Sequence, residues 1–268
     1  MASIVYGCIV PHPPVMVPAI GEGREQEVAS SLHAMSQVAA AMKDKAPEVA
    51  FIISPHGIIH YDALGIATGK SSQGTLRHWG ALVDYSFPND QEAVKAVLEE
   101  AQAERLPIRS ISQGTYDLDH GVMVPAYFLE PALKSIPLVP LSFTLLPPES
   151  HYRFGKAIQR AAKKLNKRVA FIASGDLSHR LRHDGPYGFN PAGRPFDEKI
   201  KDSVAHWDIQ GILSLDPGFI EEAGECGLRS IVVLLGTLDG LRPRPEVLAY
   251  EGPFGVGYLT ATMPVDEE

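Results

Sequence analysis

Ile4-Val5-Tyr6-Gly7-Cys8-Ile9-Val10-Pro11-His12-Pro13-Pro14 is an apolar run that ends in a proline-stiffened histidine. Ile4 to Val10 reads as a buried strand. Pro13 cannot donate to a ladder, and Pro11 and Pro13 both bias the residue before them away from helix, so the strand stops here. His12 then sits on an extended elbow just past the strand's carboxyl end. A stiff backbone suits a side chain that must hold one position, such as a metal ligand. A proline-rich turn that happens to contain a histidine is the plainer alternative. Recurrence of the pattern weighs against it.

Working outward, Gly21 to Lys45 carries Val28, Leu32, Met35, Ala39 and Met42 on one stripe, which predicts a helix ended by Pro47. Val49 to Ser54 is apolar without alternation, as a strand buried on both faces is, and it ends at Pro55-His56-Gly57. Strand, helix and strand make a βαβ unit with an expected right-handed crossover. Val169 to Ser174 closely echoes Val49 to Ser54 and leads into Gly175-Asp176-Leu177-Ser178-His179. One short echo does not establish an internal duplication. The pattern predicts a single α/β domain over residues 1–268, with a mostly parallel or mixed central sheet and helices on both faces.

Further strands are expected at Leu64–Thr68, Trp79–Tyr85, Ile108–Ile111, Leu138–Phe143, Val247–Glu251 and Gly257–Thr262. Helices are expected from Pro88-Asn89-Asp90 to Glu104, then at Met123–Leu133, Pro147–Asn166, Phe196–Trp207 and Leu228–Leu238, with a short helix or turn at Pro217–Glu222. Gly114 to Gly121 reads as a polar loop. Arg182 to Arg194, with Gly185-Pro186 and Pro191-Ala192-Gly193, reads as a long loop of the kind that forms lids or binding loops.

With 268 residues, 45% of them apolar, the chain can bury a full core. A formal net charge of −8 provides no basic footprint for nucleic acid. Two cysteines, Cys8 and Cys226, cannot build a disulfide framework and fit a reducing cytoplasm. Met1-Ala2-Ser3-Ile4 lacks the charged start of a signal peptide, and no apolar run approaches the roughly 20 residues of a membrane span. A cytoplasmic protein without a membrane partner is therefore expected.

In open α/β sheets ligands sit outside the carboxyl ends of the strands. His12, His56 and His179 each follow a predicted buried strand at that end, and His120 lies on a glycine-flanked loop that can join them. A core histidine satisfied by backbone is the plain explanation for any one of these. Four at matching stations argue for one shared site. Neutral imidazoles with one carboxylate and open positions suit non-haem Fe(II). The candidate carboxylates are Glu221, Glu222 and Glu225, the last within Gly224-Glu225-Cys226-Gly227. Cys226 is a soft ligand that could serve instead, more naturally for zinc or copper. His60 and His183 each fall four residues after a site histidine and could line the pocket. His33, His78, His151 and His206 read as surface or packing residues. Arg180, Arg182 and Arg194 read as solvated loop charges, with bidentate carboxylate binding as the alternative.

Pro11-His12-Pro13-Pro14, Ser54-Pro55-His56-Gly57, Asp119-His120-Gly121 with Val124-Pro125, and Gly175-Asp176-Leu177-Ser178-His179 together resemble the class III extradiol ring-cleavage dioxygenases. These are the LigB-type catalytic subunits, with protocatechuate 4,5-dioxygenase as the best-known member. The resemblance runs from Pro11 to about Leu238. It implies metal-binding histidines at His12 and His56 and a third ligand, glutamate in the dioxygenases, within Glu222 to Gly227. It implies an acid/base histidine at His179 and a substrate-contacting one at His120. The relative called Memo has a Cys-Gly at that last turn. Here Glu225 and Cys226 are adjacent, so the alignment leaves both open as the third ligand, and Cys226 would favour zinc.

The implied activity is Fe(II)-dependent cleavage of a small aromatic diol, a catechol, or an aminophenol with O2. The alternative is a Memo-like protein that binds metal and peptide without ring cleavage. A metal-dependent hydrolase fits less well, since nothing marks a second metal or a phosphate cradle. A homo-oligomer is expected, and some family members carry a small companion subunit over the site.

Overall fold

The two apolar runs become β1 (Ile4–Val10) and β2 (Val49–Ser54), and every residue of both is buried. This computed structural model describes residues 4–266. Between them lie α1 (Pro18–Gly21) and α2 (Ala29–Asp44). There follow β3 (Leu64–Ala67), β4 (Ser71–Thr75), β5 (Asp84–Pro88), α3 (Gln91–Ala103), β6 (Ile108–Ser112) and β7 (Tyr116–Asp117). The middle of the chain forms α4 (His120–Leu133), β8 (Leu138–Ser142), α5 (Pro148–Leu165) and β9 (Val169–Ser174). The last part forms α6 (Gly193–Ala205), α7 (Ile209–Leu213), α8 (Pro217–Ala223), α9 (Leu228–Leu238), β10 (Glu246–Glu251) and β11 (Tyr258–Pro264).

Eight strands make a mixed sheet in the order β10-β11-β1-β9-β2-β8-β3-β6. Its centre, β1, β9, β2 and β8, is parallel, while β11 and β3 join antiparallel on either side. The crossover from β1 through α2 to β2 skips one position, and β9 fills it. The echo between Val49–Ser54 and Val169–Ser174 is thereby explained. The two strands are neighbours in register, Phe51 opposite Phe171. They meet the same two helical layers. Val49, Phe51 and Ile53 enter one core with α3, α5 and α9, while Ala50 and Ile52 enter the other with α2 and α4. No helix is long and apolar enough to cross a membrane among the described residues.

Three expectations are corrected. The helix predicted from Gly21 starts only at Ala29. Glu22 and Gly23 take left-handed backbone (φ 51° and 101°), which breaks a helix, and Arg24–Val28 is a 3-10 turn. The stripe survives, with Val28, Met35, Ala39 and Met42 buried and Leu32 half-buried. Trp79–Tyr85 is not a strand. Arg77–Trp79 is a 3-10 turn closed by Gly80 at φ 96°, and β5 begins at Asp84. Its partner β4 is too polar to show as a strand in the sequence. The two form a small separate sheet with β7, which occupies part of the predicted Gly114–Gly121 loop.

Candidate metal centre

The carboxyl ends of β1, β2 and β9 lie side by side, and each delivers one polar side chain two residues beyond the strand: His12, His56 and Asp176. His12 is buried and held through both its backbone and its ring. Its peptide N–H donates to Asp176 Oδ1 (3.2 Å), and its Nδ1 lies 2.9 Å from Ser174 Oγ. The Ser174 hydroxyl donates its proton to the Gly121 carbonyl. The hydrogen between Nδ1 and Ser174 therefore belongs to the imidazole, and Nε2 keeps a lone pair. That Nε2 lies 2.9 Å from His56 Nε2, 3.7 Å from Asp176 Oδ2 and 3.8 Å from Cys226 Sγ.

His56 is more open to solvent. The Ser54 hydroxyl accepts its peptide N–H (3.2 Å) and donates to Asp119 Oδ1 (2.5 Å). Asp119 also caps α4 by accepting from Gly121 N–H (2.8 Å), so His120 becomes the first residue of that helix. The His120 ring stacks on His56 with centres 4.2 Å apart and stands 5.5 Å from His12. Burial, reinforced by the neighbouring imidazoles, lowers the pKa of His12, and it lowers that of His56 to about 4. Both rings are neutral at neutral pH, the form that ligates metal.

Asp176 and Cys226 come from loops that interlock. Cys226 and Gly227 peptide N–H groups donate to the Asp176 carbonyl (3.3 and 2.8 Å), and Asp176 N–H donates to Cys226 Sγ (3.3 Å). Gly175 backs onto Gly227 so closely that a Cβ at 175 would overlap its backbone. Burial pushes the Asp176 carboxyl up to about 7 and the Cys226 thiol upward. A bound cation would reverse both shifts, because both groups ligate in deprotonated form.

Two donor groups thus share His12. The ligand atoms of His12, His56 and His120 all lie within 4.8 Å of one another, as do those of His12, Asp176 and Cys226. Each group, three imidazoles in one and an imidazole, a carboxyl and a thiol in the other, is a donor set that fits a metal ion, and His12 belongs to both.

The carboxylate expected from Glu225 lies in neither group. Its Oε2 accepts from Leu228 N–H (2.5 Å) at the start of α9, and Arg229 pairs with it at 3.5 Å. A helix amino terminus attracts a carboxylate, and this one is claimed locally. Glu221 and Glu222 are exposed on α8. Asp176, which the sequence analysis did not weigh beside Glu221, Glu222 and Glu225, is the carboxyl that lies 3.7 Å from His12 Nε2. Its station two residues beyond a buried strand, shared with His12 and His56, was the available signal.

His179 lies further along the same loop. Its Nε2 is buried without a hydrogen-bond partner, and its ring centre is 4.9 Å from that of Tyr187. Burial lowers its pKa to about 4, and its charge in turn opposes protonation of His12 and His56. His60 and His183 are not in the donor groups. His60 Nε2 is buried and unpartnered beside the bridge to Thr144, while His183 is exposed and packs on Phe189 at 4.4 Å. His151 is a packing histidine, bonded to Thr144 and Pro147 backbone. Arg180 donates to the Glu222 carbonyl (3.1 Å), and Arg182 pairs with Asp184.

The family model described as the catalytic LigB subunit of aromatic ring-opening dioxygenase matches residues 6–261. The chain belongs to the LigB family. Protein CA_C1420 of Clostridium acetobutylicum is 38% identical over 259 residues, covering 93% of this chain and 55% of that protein. The chain spans about half the length of that relative. The 3,4-dihydroxyphenylacetate 2,3-dioxygenase of Escherichia coli is 20% identical over 255 residues, covering 89% of this chain and 91% of the enzyme. A 2,3-dihydroxyphenylpropionate/2,3-dihydroxicinnamic acid 1,2-dioxygenase of Rhodococcus sp is 30% identical over 186 residues, covering 64% and 55%. The crystal structure of the uncharacterized protein JW3007 from Escherichia coli K12 shares the fold, with a TM-score of 0.67 at 16% identity over 96% of this chain and 99% of that one.

Proposed function

We propose that this LigB-family chain is an Fe(II)-dependent extradiol dioxygenase that opens the ring of a catechol or aminophenol with O2. The observation that carries the reading is that His56 (2.9 Å) and the Asp176 carboxyl (3.7 Å) both approach His12 Nε2 from adjacent strand ends. Two neutral imidazoles and one carboxylate, with faces left open, suit non-haem Fe(II). Iron bound there would supply a Lewis-acidic, redox-active centre for diol and oxygen.

The chain's own residues supply positions and protons. His12 and His56 would hold the metal, and Ser174 fixes the His12 tautomer that leaves Nε2 its lone pair. His179, neutral and with an unpartnered Nε2, accepts a proton from a substrate hydroxyl and returns it to the oxygen released as the ring opens. His120, stacked on His56, hydrogen-bonds the substrate. The free thiols of Cys8 and Cys226 fit a cytoplasmic setting.

A second reading rests on Cys226, whose sulfur lies 3.8 Å from His12 Nε2. A thiolate in the ligand set favours zinc or copper and a Memo-like protein that recognises a partner without ring cleavage. Anaerobic loading with Fe(II), followed by oxygen uptake with a panel of catechols and aminophenols, separates the two. Uptake with a rise in near-visible absorbance is expected. Absence of uptake with every compound would favour the second reading.

A further inference from the structure

Seven large apolar side chains stand exposed among the described residues, and all seven lie on the loops that follow β2, β4, β8 and β9. The loops after β2, β8 and β9 leave the edge of the sheet that carries the donor groups. The loop after β4 reaches the same place through Trp79.

Two of the seven touch the site histidines. Trp79 is 43% exposed, and its ring centre lies 5.7 Å from that of His120. Tyr187 is 61% exposed, and its ring centre lies 4.9 Å from that of His179. They approach from different parts of the chain, and each is carried on a pinned turn. The Leu76 carbonyl accepts from both Trp79 N–H (2.9 Å) and Ala81 N–H (3.2 Å), and Arg77 pairs with Asp84 across the same turn. Gly188 N–H closes a turn on the Gly185 carbonyl (3.2 Å) around Tyr187, Leu181 bridges Phe189, and Arg182 anchors the loop to the Pro253 carbonyl (2.6 Å). Each ring is thus carried, half in water, on a turn whose backbone is already fixed, which lowers the cost of placing it against a flat ligand.

We propose that Trp79 and Tyr187 are the ring-binding walls of the substrate site. They recognise the flat face of an aromatic substrate while its hydroxyl groups face the metal donors and His179. The inference rests on the ring-cleavage reading and adds what selects the ring. His120 and His179 handle protons and hydroxyls, which a non-aromatic chelator also presents. The ring faces of Trp79 and Tyr187 have no flat partner in such a chelator.

The test compares two bidentate ligands on anaerobic Fe(II)-loaded protein: catechol, which has a ring face, and acetohydroxamate, which has none. Kd for each is measured by optical titration in wild type, Trp79→Ala, Tyr187→Ala and the double variant, with iron content measured alongside. Each single alanine variant should weaken catechol by about 3- to 10-fold, and the double variant by more, with acetohydroxamate unchanged. Trp79→Phe and Tyr187→Phe should keep catechol binding near wild type. Equal catechol affinity in all variants would overturn the proposal, as would parallel loss of both ligands, which marks a merely structural role. Wild type that binds acetohydroxamate and no catechol would overturn the ring-cleavage reading itself, a result distinct from the other two.

Discussion

Ser174 Oγ accepts the Nδ1 hydrogen of His12 at 2.9 Å while donating its own hydrogen to the Gly121 carbonyl. A strand-end hydroxyl thus chooses the tautomer of the most buried imidazole in the centre. Ser174→Ala removes the acceptor and frees His12 to protonate at Nε2. Metal affinity should fall by roughly 10- to 100-fold, the usual effect of losing a histidine's orienting partner. Competition against a chelator of known affinity measures it, with thermal unfolding as the control for folding.

His12→Ala and His179→Ala should separate holding from proton transfer. The first should leave the protein without iron and without activity. The second should keep iron near stoichiometric while turnover drops by roughly 10²- to 10⁴-fold, the contribution of a positioned acid/base. A metal-free His179→Ala would show that this division of roles is wrong.

The two buried acids near α9 should respond differently. Asp176→Ala should abolish metal binding. Glu225→Gln should retain the metal and destabilise the fold by about 1 kcal/mol, because it weakens the helix cap and the pairing with Arg229. Metal stoichiometry and urea midpoints on both variants decide the matter. Loss of metal in Glu225→Gln alone would return the ligand role to Glu225.

Asp197 provides a pH signature. Its buried carboxyl accepts from Ser178 N–H (2.8 Å) and Tyr250 hydroxyl (2.7 Å), yet burial outweighs both and raises its pKa from 3.8 to about 7. The folded state then binds the proton more tightly than the unfolded state. Its contribution to stability is full below the unfolded value and is lost as pH rises through the window from 3.8 to about 7. Subtracting the stability profile of metal-free Asp197→Asn from that of wild type should isolate a term that falls across this window and is flat above it. A difference profile that rises would contradict the assignment.

Much of the architecture was legible because its causes are local. Runs such as Val49–Ser54 are apolar throughout, and only a strand covered on both faces needs that. The prolines around His12 and before His56 stop their strands where the sequence shows them stopping. β4 was hidden for the opposite reason. Its pattern Ser71-Ser72-Gln73-Gly74-Thr75 buries little, and backbone pairing with β5 and β7 makes it a strand. Trp79 was assigned to a strand by its neighbours' apolarity, and Gly80's left-handed backbone turned it into an exposed ring beside His120.

By itself, then, the amino-acid sequence determined the α/β class, the two-faced central strands and the strand-end stations of His12 and His56. Each follows from hydrophobic periodicity and from what proline does to its neighbours. Which acid lies beside His12 was decided only by tertiary structure. Glu225 and Asp176 are both acidic residues in glycine-rich turns, and nothing local ranks them. The amino terminus of α9 draws Glu225 into a cap. The insertion of β9 between β1 and β2, a pairing of segments more than a hundred residues apart, places Asp176 within 3.7 Å of His12.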